Sequence, residues 1–182
     1  LSGDDAGLFT LDPVSGDLRW QTAPDFENPT DLDADGIYEV TVVAADDEGG
    51  QSSQAFSIHV TNEVEQIVLS APGLAGTDED QPLAFDDALA TTVVDPDLSA
   101  DLQLTLRATQ GTLAVGASPA QSETLDQGAG VRLSGSAAEL NLALAGLVYS
   151  PSADDNGQVS LTLQLVDRAL PASGLRTAAA TV

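Results

Sequence analysis

The chain has 182 residues, 42% of them apolar, no cysteine, and 29 acidic against five basic residues, for a formal charge of −24. This length and apolar content suit one large or two modest cores and exclude an acidic disordered tail. The charge disfavours nucleic acid and anionic membranes as partners, and the missing cysteine excludes disulfides, thiolate zinc sites and cysteine nucleophiles. No apolar run approaches the roughly 20 residues that a membrane-spanning helix needs, so membrane insertion is not expected.

Segments 9–11 and 18–20 flank the turn Asp12-Pro13-Val14-Ser15-Gly16-Asp17 and read as a hairpin. Segments 37–45 and 55–60 alternate apolar and polar residues, which predicts paired antiparallel strands around a turn at 46–51. The polar stretch 61–66, followed by a new apolar start at 67–69, predicts a junction between units at 1–63 and 66–182. Beyond it, strands are expected at 83–85, 92–94, 102–108, 112–115, 130–133, 147–150, 159–166 and 177–182. Turns recur about every ten residues, the spacing of a β-sandwich. One helix interrupts this pattern near 137–145. Ser136-Ala137-Ala138-Glu139 is a capping box, Leu140, Leu142, Leu144 and Ala145 follow, and Gly146 is placed as the C′ stop. The expected class is all-β.

The acids sit in turns. Asp25-Phe26-Glu27, Asp31-Leu32-Asp33-Ala34-Asp35-Gly36, Asp78-Glu79-Asp80 and Asp95-Pro96-Asp97 are tight clusters between nearly uncharged strands. Adaptation to high salt would spread acids over strand faces as well, so the clustering favours metal binding. Carboxylate oxygens are the preferred ligands of calcium, which takes six to eight of them. In an extended turn, residues i and i+2 can put two carboxylates on one side, so D-x-E and D-x-D each form a pincer. The expectation is an extracellular β-protein held rigid by calcium.

GLFTLDPVSGDL (7–18), DFE (25–27), YEVTVVAAD (38–46) and FSIHVTNE (56–63) together resemble the C-terminal two-thirds of a cadherin-type repeat, without its first two strands. GTLAVG (111–116), LSGSAAELNLALAGLVYSPSADDNG (133–157) and LTLQLVD (161–167) resemble the cadherin-like repeats found in tandem in large bacterial adhesins of the RTX type. The resemblance implies tandem Ig-like β-sandwiches with calcium between successive domains. It places Asp25, Glu27, Asn62, Glu63 and Glu65 as ligands from the first domain and linker, and Glu79, Asp95, Asp97 and Asp167 from the second. Asp46, the counterpart of Asp167, would serve a preceding domain. The linker Thr61-Asn62-Glu63-Val64-Glu65 departs from the family's D-x-N-D-N pattern. The start at Leu1, inside a motif and with no signal peptide before it, reads as that of a segment cut from a longer protein.

Asp31, Asp33, Asp35 and Gly36 begin an EF-hand-like loop, but Val42 stands where the EF-hand needs its bidentate Glu, and no flanking helices are evident. A local calcium loop and a solvated acidic loop both remain open there. Asp154-Asp155-Asn156-Gly157 reads as an ordinary turn or a calcium turn, and Asp86-Asp87 as exposed loop. His59 has no nucleophile or partner acid in its pattern and reads as structural, and Trp20 and Tyr38 read as core. No enzymatic activity is expected. The function these readings favour is a calcium-rigidified extender segment of a secreted or cell-surface adhesin, serving attachment or biofilm formation by positioning a distal module. Its partners are neighbouring repeats, with homophilic, matrix or cell-surface contacts beyond them. The alternative is a carbohydrate- or protein-binding module of an adhesin or of a secreted hydrolase.

Overall fold

A computed structural model describes residues 1–98 and 101–169, and the backbone of 177–181. Its strands pair antiparallel throughout, one short α-helix interrupts them, and the chain divides into two units, Leu1–Val64 and Glu65–Val182.

In the first unit, β1 (Phe9–Leu11) and β2 (Leu18–Trp20) form the hairpin, with Phe9 opposite Trp20. Asp12 folds its turn by accepting the N–H groups of Val14 at 2.8 Å and Ser15 at 3.1 Å on one carboxylate oxygen. Those two donors favour the ionised form and hold the Asp12 carboxyl below the usual range. Strand β3 (Ile37–Ala45) pairs with β4 (Gln51–His59), in register from Ile37 opposite His59 to Ala45 opposite Gln51. Strand β4 starts earlier than its alternating segment. Gln51, Ser52, Ser53 and Gln54 are exposed and carry no alternation, and they become strand by backbone pairing to β3. Phe9, Tyr38 and Val40 form the buried core. Trp20, half-buried, lies 4.3 Å from the Phe9 ring and meets Tyr38 edge-on at 4.8 Å.

The second unit contains a five-stranded sheet in the order β10 (Gln121–Leu125), β11 (Gly130–Gly135), β8 (Leu102–Ala108), β13 (Leu161–Asp167) and β14 (Thr177–Thr181). Strands β6 (Leu83–Ala84), β12 (Val148–Ser150) and β9 (Thr112–Ala114) form a second sheet, and β5 (Val68–Ser70) pairs with β7 (Thr92–Val94). Period-two alternation sends Leu102, Leu104 and Leu106 of β8 and Leu161, Leu163 and Leu165 of β13 into one core. Leu113, Val131, Leu133, Tyr149 and Leu140 and Leu144 of the helix join them. Val182, at the end of the predicted last strand, lies outside the described residues.

Strand β10 is absent from the sequence expectation. Its QSETL is exposed over four of its five residues, and pairing to β11 defines it, with Glu123 bonded to Arg132 directly opposite at 2.8 Å. The helix α1 (Ala137–Leu144) carries the capping box: Ser136 Oγ accepts the Glu139 N–H, and the Glu139 carboxylate accepts the Ser136 N–H at 2.9 Å. Leu140 and Leu144 are buried, while Leu142 is 57% exposed and faces away from the core. Gly146 stands at C′, for a different reason from a left-handed stop. Its φ is not positive, and a Cβ there would sit 2.5 Å from the Cα of Gly116.

Candidate metal centres

The acids of the second unit are gathered by strand register. Asp167 ends β13 opposite Leu102, the first residue of β8. Asp95 and Asp97 follow β7, whose place is set by pairing to β5 and by Asn141 of the helix. The Asn141 amide oxygen accepts the Val93 N–H at 2.8 Å, and its nitrogen donates to the Val93 carbonyl at 2.8 Å. The result is a group in which Asp95, Asp97 and Asp167 each offer a carboxylate oxygen, all within 4.8 Å of one another. Asp95 and Asp167 are buried at 4% and 1% exposure. Asp167 Oδ1 accepts the Ala169 N–H at 2.9 Å, and Asp97 Oδ1 accepts the N–H of Glu65, the residue at which this unit begins, at 3.3 Å.

Two unit charges about 5 Å apart at an effective dielectric near 20 repel by roughly 3 kcal/mol. A cation among such buried acids offsets that repulsion. The donors are all oxygen, which suits a hard cation and not zinc or copper. By this chemistry the three carboxylates could hold a hard cation, of which calcium is one.

In the first unit, Asp31, Asp33 and Asp35 also bring carboxylate oxygens within 4.8 Å of one another. Asp31 is 6% exposed; its Oδ2 accepts the N–H groups of Asp35 at 2.8 Å and Gly36 at 3.3 Å. Asp35 Oδ1 accepts the Ile37 N–H at 2.8 Å, joining the loop to β3. Behind the loop lies Asp5, 3% exposed, which bonds the Leu32 N–H at 2.9 Å with one oxygen and the Glu39 N–H at 2.8 Å with the other. The Asp35 charge beside it, then loss of hydration and the Asp31 carboxylate, raise the Asp33 carboxyl above its ordinary value. Glu39 is raised too, by loss of hydration first and then by the charges of Asp35, Asp5, Asp33 and Asp4. The fold therefore adds Asp4, Asp5 and Glu39 to the field of the loop.

Other predicted ligands serve as turn caps, are half-buried or stand at the surface. Asp25 Oδ1 accepts the N–H groups of Glu27 and Asn28 at 3.0 and 3.2 Å. Asp46 Oδ1 does the same for Glu48 and Gly50 at 3.0 and 2.6 Å, closing the β3–β4 turn. Within the first unit, neither belongs to the Asp31 group. Glu27 is half-buried, Asn62 and Glu63 are exposed, and Glu65 is half-buried beside Asp97. Glu79 is exposed and lines a cleft with Leu83, Phe85 and Tyr149, apart from the Asp95 group. Asp155 Oδ1 accepts the Gly157 N–H at 3.0 Å, an ordinary turn bond. His59 is exposed on β4. Asp5 and Asn141 have no sequence signal, because their partners lie 27, 34 and 48 residues away.

The structure and its acids define a class: an all-β protein of antiparallel sheets with one short helix, carrying carboxylate groups whose donors suit a hard cation. No protein-family model, curated protein or solved structure matches the chain. Among the described residues, no helix is long and apolar enough to cross a membrane.

Proposed function

We propose that this chain is a calcium-stiffened extender segment of a secreted or cell-surface bacterial adhesin, built of tandem cadherin-like β-sandwiches. One observation carries the reading: Asp95, Asp97 and the distant Asp167 converge, two of them buried, beside Glu65 at the start of their unit. Asp95, Asp97 and Asp167 would hold the ion. Calcium there would neutralise the acids and tie the start of the unit to its β7 and β13 ends. In a stalk of such units each repeat touches only its neighbours. The work is mechanical, placing a distal ligand-binding module away from the cell. Against a sugar-binding role for the first unit, Tyr38 is buried at 1% exposure and Trp20 is packed between two rings.

Metal that binds only the folded unit stabilises it by about 2.7 kcal/mol at a hundredfold excess over Kd. Thermal unfolding with calcium and then with EGTA tests this. The expected gain in the second unit's transition is on the order of 10 °C, and that transition loses it in an Asp95→Ala/Asp97→Ala variant. Equal melting with calcium and EGTA overturns the reading, as does a variant that keeps the full calcium gain. Small-angle scattering on the same samples should show greater extension with calcium, and an unchanged shape would refute the stiffening role.

A further inference from the structure

We propose that the loop from Asp31 to Gly36 is a cation site in its own right, with Asp31, Asp33 and Asp35 as direct ligands of a calcium-type ion. The site lies within one unit and is independent of the stalk role. Its acids alone would not carry this reading, since exposed acidic groups are common without a metal. The deciding atom is Asp31 Oδ1. It is buried and has no hydrogen-bond partner, on a side chain whose other oxygen already takes two backbone N–H groups. A buried carboxylate oxygen left without a partner is costly, and a bound cation satisfies it.

The surroundings supply charge and order. Asp4, Asp5 and Glu39 share the negative field of the loop: the Asp35, Asp5, Asp33 and Asp4 charges all bear on the Glu39 carboxyl. The one Lys or Arg of this unit, Arg19, is bonded to Asp17 on the β1–β2 hairpin. Asp5 pins Leu32 and Glu39 before any ion arrives, so little ordering remains to be done on binding. The donors are all oxygen, which selects calcium over softer metals, and the exposed Asp33 and Asp35 leave room for water ligands. Val42 cannot supply the bidentate carboxylate that tightens an EF-hand. The affinity is therefore placed at the weak, extracellular end, with Kd of about 0.1–1 mM.

The test uses the whole chain and the metal itself. Calcium is titrated calorimetrically into the wild type, into Asp95→Asn/Asp97→Asn, and into each with Asp33→Asn/Asp35→Asn added. Asparagine keeps the oxygen that accepts the Ile37 N–H, and both positions are exposed, so the fold should survive. The expected result is the loss of one calcium per chain on adding Asp33→Asn/Asp35→Asn in either background. Unchanged stoichiometry and affinity would overturn the site without touching the stalk reading, which the Asp95→Asn/Asp97→Asn comparison judges separately. Terbium emission sensitised through Trp20 gives a second readout that needs no folded variant. Trp20 touches Tyr38, whose hydroxyl accepts the Thr30 N–H at 3.2 Å, next to Asp31. Emission that millimolar calcium quenches supports the site, and its absence in the wild type refutes it.

Discussion

The side chain of Asn141 stands in for a β-strand neighbour of Val93, returning both a donor and an acceptor to that one residue at 2.8 Å each. Strand β7 is only three residues long and pairs with an equally short β5, so this clamp from the helix is a substantial share of what places it. Asp95 lies two residues beyond Val93, which makes the helix a support for the acidic group. Asn141→Leu should cost about 2 kcal/mol in urea unfolding, because it strands an N–H and a carbonyl in partly buried surroundings. The same variant should bind calcium more weakly. Wild-type stability in Asn141→Leu would show that the clamp is incidental.

The Asp95 group has a sign that distinguishes repulsion from simple packing. Asp95→Asn/Asp97→Asn removes like charges while keeping shape. In EGTA it should melt above the wild type, and in calcium below it. A variant less stable than wild type in EGTA would mean that the interactions these carboxylates make, such as that of Asp97 with the Glu65 N–H, outweigh their mutual repulsion.

Tyr149 is 8% exposed, and its hydroxyl has no hydrogen-bond partner. Removing it as Tyr149→Phe should be neutral or stabilising by up to about 1 kcal/mol, measured by denaturant midpoint. Burial, and then the Asp155 charge, raise its phenol above the ordinary value of 10.0. A raised folded value gives stability that is full below the unfolded pKa and is lost as pH rises towards the folded one. The alkaline loss above about pH 10 should therefore be smaller in Tyr149→Phe.

Asp12 has the opposite sign. Its carboxyl is lowered by the Val14 and Ser15 N–H groups, so its contribution is present above the unfolded pKa and is lost as pH falls through the folded one. An NMR titration should find Asp12 below the ordinary aspartate midpoint. Asp12→Ala should flatten the acid limb of the first unit's stability curve.

Gly146→Ala probes close approach and not backbone handedness. The added methyl would meet the backbone of Gly116 at 2.5 and 2.8 Å, and backbone cannot swing aside like a long side chain. Overpacking of this kind costs roughly 1–3 kcal/mol, measurable as a lower melting temperature of the second unit.

Strands β8 and β13 were legible because one face of each is buried, which forces an apolar residue at every second position. The capping box of α1 was legible because its bonds run between residues three apart. Strand β10 and the first half of β4 were not. They are exposed, so pairing alone makes them strands and leaves no imprint on composition.

The amino-acid sequence by itself determined the types of the core-facing elements, most turns and the acid clusters, since these depend on local periodicity and on side chains a few residues apart. Only the tertiary structure decided which acids meet. Asp167 joins Asp95 and Asp97 because the β8–β13 register sets it opposite Leu102. Asp5 reaches the Asp31 loop across 27 residues, and Asn141 reaches β7 across 48. Such partners are chosen by strand register and core packing, which act on whole faces and leave no signature at the single polar residue they bring into place.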